Sequence, residues 1–149
     1  PNKDENIFAI KIIDNVDPIN FRSEVAFQQK AAEEQIAPQL YDSFLYNCKD
    51  GRTRGFIIMQ YLKGYVMGYK MNELLHKQLQ AYQTSGMISI GEAIYQQHLK
   101  NINALLDKID NKLKKLKIDL PDFQTNFMIK LDLSDLKALD YGLAKETVP

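Results

Sequence analysis

Two spacings of apolar residues alternate along this chain and predict its elements. Residues 7–13, Ile-Phe-Ala-Ile-Lys-Ile-Ile, are mostly β-branched or aromatic and predict a strand, with a turn over residues 2–6 ahead of it. Asp17 then offers a helix N-cap, with Pro18 at the first helical position. Ile19, Phe21, Val25, Ala32 and Ile36 follow at roughly helical spacing and predict a helix to about Gln35, stopped by Pro38. Two further apolar runs, 39–47 and 54–62, flank residues 48–53, where Asp50-Gly51 signals a hairpin.

The pattern then becomes helical. Residues 71–82 form a short amphipathic stretch, broken by Gln83-Thr84-Ser85-Gly86. Ser89 followed by Glu92 has the form of a capping box. Behind it, Ile94, Ile102, Leu105, Leu106, Ile109, Leu113 and Leu116 predict one helix from about Gly91 to Leu116. Its lysines crowd the C-terminal end, where the helix dipole favours them. A seven-residue repeat is not sustained, so a core helix is expected rather than a zipper. Two short strands, over 126–131 and 137–142, complete the chain around the turn at 132–135.

Length and charge narrow the function classes. The 149 residues suffice for one domain with a real core, and 19 basic residues balance 19 acidic ones. Nothing in that balance argues for nucleic acid or a membrane surface as partner. No apolar run has the length of a bilayer span. The lone Cys48 excludes an internal disulfide framework and a zinc cluster, and predicts an intracellular, cytoplasmic setting.

Several polar residues stand where apolar ones are expected. Lys11 is mid-strand; an edge lysine facing solvent is the ordinary case, and a lysine reaching for phosphate is the functional one. Glu24 is either a surface glutamate, the ordinary case on a helix, or a partner pointing inward toward Lys11, since it shares a helical face with Phe21, Phe27 and Gln28 rather than with Glu33 and Glu34. Asp122 and Asn126 interrupt an apolar connection, either as turn formers or as a catalytic loop. Asp140 precedes Tyr141-Gly142, either as a solvated turn carboxylate or as a magnesium ligand at a strand end.

Taken in order, these residues resemble the eukaryotic-type protein kinase family. Phe8–Ile13 is similar to the V-A-I-K strand, residues 37–44 to the segment after the regulatory helix, and residues 55–64 to the strand and hinge beside the adenine pocket. Residues 140–146, Asp-Tyr-Gly-Leu-Ala-Lys-Glu, are similar to D-F-G-L-A-K. The resemblance implies an α+β, protein-kinase-like fold: a small antiparallel-sheet N-lobe with one regulatory helix over 1–62. Residues 63–149 would hold the hinge, an inserted linker and the first part of an incomplete helical C-lobe. It implies ATP and Mg²⁺ as cofactors, with Lys11 on the α- and β-phosphates, oriented by Glu24. Met59 would back the adenine pocket, and Gln60 and Leu62 would bond the base through their backbones. Asp140 and Asn126 would hold metal, Asp122 would act as base, and Gly142 would give its turn conformational freedom. The reaction implied is transfer of the γ-phosphate to a Ser or Thr hydroxyl of a protein substrate. A further protein partner would meet the helices and linker of 64–116.

Departures from the family bear on catalysis more than on binding. No G-x-G-x-x-G precedes Lys11, since the first glycine is Gly51. The catalytic loop reads Leu-Pro-Asp, and Asp122 to Asn126 is one residue shorter than the family's interval; Asp119 is the alternative register. The Pro1 start and the end at Pro149 are expected of a piece of a longer polypeptide. A pseudokinase or kinase-derived interaction protein is the competing expectation, and a small-molecule phosphotransferase a third.

Overall fold

The strand that carries Lys11 is short and needs two neighbours to hold it. In the computed structural model, which describes residues 7–147, β1 (Phe8–Ile13) pairs antiparallel with β3 (Thr53–Gln60), and β3 pairs antiparallel with β2 (Leu40–Asn47). The order β1-β3-β2 places Lys11 opposite Ile57 and Ala9 opposite Met59. Gly51, at φ +88°, turns the β2–β3 hairpin as its Asp-Gly signal predicts. The turn expected over residues 2–6 lies outside the described residues.

Helix α1 (Pro18–Glu33) starts as the sequence predicts, with the Asp17 carboxylate accepting from the Asn20 N–H at 3.2 Å. Its buried stripe is Phe21, Glu24, Gln28, Ala31 and Ala32. Ile19 falls on the opposite side and is 73 % exposed, because two residues rotate the helix by about 200°. Pro38 does not stop this helix. The chain leaves it at Gln35, whose left-handed backbone (φ +64°) lets Ile36 N–H bond back to the Ala31 carbonyl at 3.1 Å. Phe21 lies over Gly55 so closely that a Cβ there would come within 2.6 Å of the ring. This contact sets α1 on one face of the sheet; the other face leaves Phe8, Ile10, Ile12, Phe44 and Tyr46 exposed.

The segment expected as a linker is structured. Residues Tyr65–Met67 form β4, and α2 runs Gly68–Thr84, longer at both ends than the stretch 71–82 suggested. Gly68 opens α2 because Phe127 packs against it; a Cβ there would sit 2.5 Å from the ring. The capping box does not form. Helix α3 spans Ile88–Lys115, so Ser89 lies inside its first turn, and Met87 stands at the N-cap without a side-chain bond. Strand β5 (Ile118–Asp119) pairs with β8 (Lys145–Glu146), while β4, β6 (Phe127–Lys130) and β7 (Leu136–Ala138) form a second three-stranded sheet in the order β4-β6-β7.

The fold is therefore α+β, with small antiparallel sheets and three helices among the described residues. One core joins the end of α1 (Ala31, Ala32) and Ile36 to α2, α3 and the second sheet, with Ile129 and Ala138 fully buried. Among the described residues no helix is long and apolar enough to cross a membrane.

Helices α2 and α3 touch where Gly91 faces Tyr82, and a Cβ at Gly91 would lie 2.5 Å from the Tyr82 Cβ. That atom is fixed to the backbone and cannot swing away. Gly91→Ala is expected to destabilise the protein by roughly 1–3 kcal/mol in urea unfolding, despite alanine's better helix propensity. A neutral or stabilising result would show that the helices can separate freely.

Candidate functional site

A cavity of about 520 Å³ opens between β1, the end of β3, β6 and the segment that follows β7. Its walls are mainly apolar: Ala9 and Ile10 on one side, Met128 and Leu139 on the other, Leu62 toward the connection that follows β3. Charge is confined to Lys11 and Asp140, with Asn126 and Gln28 as further polar lining. Six of the residues singled out from sequence, Lys11, Met59, Gln60, Leu62, Asn126 and Asp140, share this lining.

Glu24 enters through Lys11. The Lys11 ammonium donates to Glu24 Oε2 at 2.6 Å and to Asp140 Oδ1 at 3.2 Å. Side-chain exposures of 7 % for Glu24, 32 % for Lys11 and 55 % for Asp140 rank the three from protected to open. A carboxylate as buried as Glu24 needs a charged partner to be tolerated, and the mid-strand lysine supplies it. Burial of Lys11 works against its charged form. The hydrogen bond and attraction of Glu24, joined by Asp140, outweigh that and raise its pKa above the ordinary 10.5.

Asp140 is not at the strand end. Strand β7 stops at Ala138, and Asp140 adopts a left-handed backbone (φ +61°), in which its Oδ1 also accepts from the Gly142 N–H at 3.3 Å. Gly142 itself is not among the residues with positive φ, so conformational freedom is not what it contributes. It contributes space: a Cβ there would approach Glu24 Oε1 to 3.0 Å and Asp140 Oδ1 to 3.2 Å. Asn126 is held beside Asp140 by its carbonyl, which accepts from the Leu139 N–H at 2.9 Å.

Asp122 stands apart. It is exposed, does not line the cavity, and begins the 3₁₀ turn Phe123–Thr125 with φ +58°. Its carbonyl accepts from the Thr125 N–H and Oγ1 at 3.0 and 2.9 Å. Asp119 lies in β5 and faces a different cleft, with Glu146.

At the mouth, the Gln60 N–H donates to the Gln39 carbonyl at 2.8 Å, and its side-chain oxygen accepts from the Gln39 N–H at 3.2 Å. The Leu62 carbonyl accepts from the Tyr65 N–H at 3.3 Å. Sequence reasoning missed Ala9, Met128, Leu139 and Gln28 as lining. Only Gln28 carried a signal, as a second polar residue one turn beyond Glu24 on the buried stripe.

Among the described residues no group of three His, Cys, Asp or Glu side chains could hold a metal alone. Magnesium commonly takes one or two protein oxygens and completes its shell with water and phosphate. Asp140 fits that demand: it is more than half exposed, and both of its hydrogen bonds fall on Oδ1.

No protein-family model and no curated protein sequence matches this chain.

The charged triad has a pH signature. A pKa raised in the folded state contributes stability that is complete below 10.5 and is lost as pH climbs through the raised value. Lys11→Met, which strands Glu24, is expected to cost on the order of 2 kcal/mol at neutral pH, less than a fully buried pair because Lys11 is part-exposed. It should also flatten the loss above pH 10.5 in denaturant titrations. An unchanged alkaline limb would remove Lys11 as its source.

Tyr141, which follows Asp140 in the chain, is buried in the main core at 1 % exposure, and its hydroxyl has no hydrogen-bond partner. Burial alone pushes its pKa well above the ordinary 10.0. Tyr141→Phe removes an unsatisfied buried group and is expected to raise stability by roughly 1 kcal/mol in thermal or urea unfolding. A loss of stability instead would reveal a partner for the hydroxyl.

Proposed function

We propose that this chain binds ATP and Mg²⁺ and belongs to a protein kinase that phosphorylates Ser or Thr. The observation that carries this reading is the Lys11 ammonium held between Glu24 and Asp140 at the charged end of a mainly apolar cavity. A flat base would lie between Ala9 and Met128, with the Gln60 carbonyl and the Leu62 N–H meeting its edge; all four residues line the cavity. Lys11 would then grip the α- and β-phosphates, kept in place by Glu24. Asp140 and Asn126 would hold the metal. Bound Mg²⁺ would neutralise charge building on the β- and γ-oxygens. Asp122 would take the proton of the incoming protein hydroxyl. In this reading residues 1–62 form a kinase-like N-lobe and 63–149 the hinge and the start of the C-lobe. The helical segment 64–116 would meet a protein partner.

The exposed position of Asp122 outside the cavity lining favours a second reading, a nucleotide-binding interaction protein that transfers no phosphate. Both readings share the binding step and separate at turnover.

Thermal unfolding with ADP, with and without Mg²⁺, tests the shared step. At a hundred times Kd the nucleotide should stabilise the protein by about 2.7 kcal/mol, and Asp140→Asn should remove the Mg²⁺-dependent part while costing the unliganded protein only the roughly 0–1 kcal/mol of a half-exposed ion pair. No Mg²⁺-dependent shift in the parent would overturn the proposal. Single-turnover transfer from ATP then separates the two readings: transfer abolished by Asp122→Ala supports the kinase. Its absence in a parent that binds nucleotide supports the interaction protein, and loss only in Asp119→Ala moves the base to that residue.

A further inference from the structure

Gln28 is 3 % exposed, more enclosed than Glu24 at 6 %, and it lines the cavity from the α1 side. Its Nε2 donates to the Pro38 carbonyl at 3.3 Å and reaches Met59 Sδ at 3.7 Å. A carbonyl only accepts, so the carboxamide must present its NH₂ group to Pro38. Pro38 is itself fully buried, and the next residue, Gln39, is the one paired with Gln60 through two hydrogen bonds. A continuous set of contacts thus runs from Gln60 at the mouth, through Gln39 and Pro38, to Gln28 on α1. One helical turn earlier on the same stripe stands Glu24, bonded to Lys11.

The energetic asymmetry of this arrangement is what assigns it a role. An apolar residue at this position on the stripe would bury as well and avoid desolvating an amide. What the amide adds is direction. It fixes the rotation and depth of α1 against a rigid buried proline, and the same rotation aims Glu24 at Lys11. We propose that Gln28 is a positioning residue that holds α1 where Glu24 meets Lys11, and so couples the base-reading end of the cavity to its phosphate end. The proposal rests on the nucleotide reading of the cavity for its consequence, and on the hydrogen bonds alone for its mechanism.

Gln28→Met tests it, since methionine has similar length and flexibility but no donor. Binding of ADP and of adenosine, measured by calorimetry, separates the two ends of the cavity. If Gln28 acts through Lys11 and Glu24, ADP weakens by roughly fivefold to tenfold and adenosine by less than about twofold. In a Lys11→Met background the ADP penalty of Gln28→Met should vanish. Equal losses for ADP and adenosine, or the same penalty in both backgrounds, would reduce Gln28 to packing and overturn the proposal. If the parent binds neither ligand, the nucleotide reading fails, and amide hydrogen exchange over α1 still decides the coupling. Exchange quickened by Gln28→Met in the parent but not in Lys11→Met supports it; equal quickening in both overturns it. Should Gln28→Met not fold, the side-chain amide resonances of Gln28 in the parent give the answer. Lys11→Met must shift them, and unchanged resonances overturn the coupling.

Discussion

A carboxylate held at 7 % exposure decides how this molecule is arranged around its cavity. Removing Glu24 from water without a partner would cost several kcal/mol, so the fold must bring a cation to it. Lys11 does so from the middle of β1, at 2.6 Å. That requirement acts together with the Phe21–Gly55 contact and the Gln28 bond to Pro38 in setting which face of the first sheet α1 covers and how the helix is rotated. It also explains two glycines that no turn demands. Gly55 lets Phe21, one turn before Glu24, lie flat on β3, and Gly142 lets the Asp140 segment approach the pair from the other side. Larger side chains at either place would push apart the elements that the ion pair draws together.

Helix α1 serves two bodies of structure at once. Its first half, with Phe21 and Glu24, packs on the β1-β3-β2 sheet, and its end, with Ala31 and Ala32, enters the main core beside α3 and the second sheet. The segment after it is equally committed, since the Ile36 carbonyl accepts from the Ala138 N–H at 2.8 Å, just ahead of Asp140. The first sheet contributes little to the main core, because Phe8, Ile10 and Ile12 face away from α1 and stay exposed. Its position relative to the second sheet therefore depends on α1 and on the Lys11 contacts more than on shared apolar burial. A site of this kind is held together by its own charges.

Much of this was legible where the signal was local. Asp17-Pro18 marks the start of α1, Asp50-Gly51 marks the hairpin, and Glu24 betrays itself by lying on an apolar face. The missed features have physical reasons. Strands β4, β5 and β8 span three, two and two residues, too short to show a period of two. The glycine at the start of α2 reads as a linker residue until Phe127 is seen against it. The end of α1 is set by a left-handed glutamine, and the sequence signal for such a cap is a glycine or asparagine, neither of which is present. The meeting of Lys11 with Asp140 spans 129 positions of sequence, and no periodicity carries information over that distance.

The last third of the chain holds Lys117, Asp122, Leu133 and Asp140 in the left-handed region. Aspartate tolerates that geometry better than most residues, so two of these positions suit their occupants, whereas Lys117 and Leu133 are strained by about 1 kcal/mol or more. The two aspartates use the same backbone conformation to different ends. At Asp140 it bends the chain so that the carboxylate meets Lys11 and the Gly142 N–H. At Asp122 it starts a 3₁₀ turn in which the carbonyl is bonded twice while the carboxylate stays exposed. The first carboxylate is thereby fixed in the cavity lining. The second lies outside that lining and faces solvent, so one backbone conformation serves two different environments.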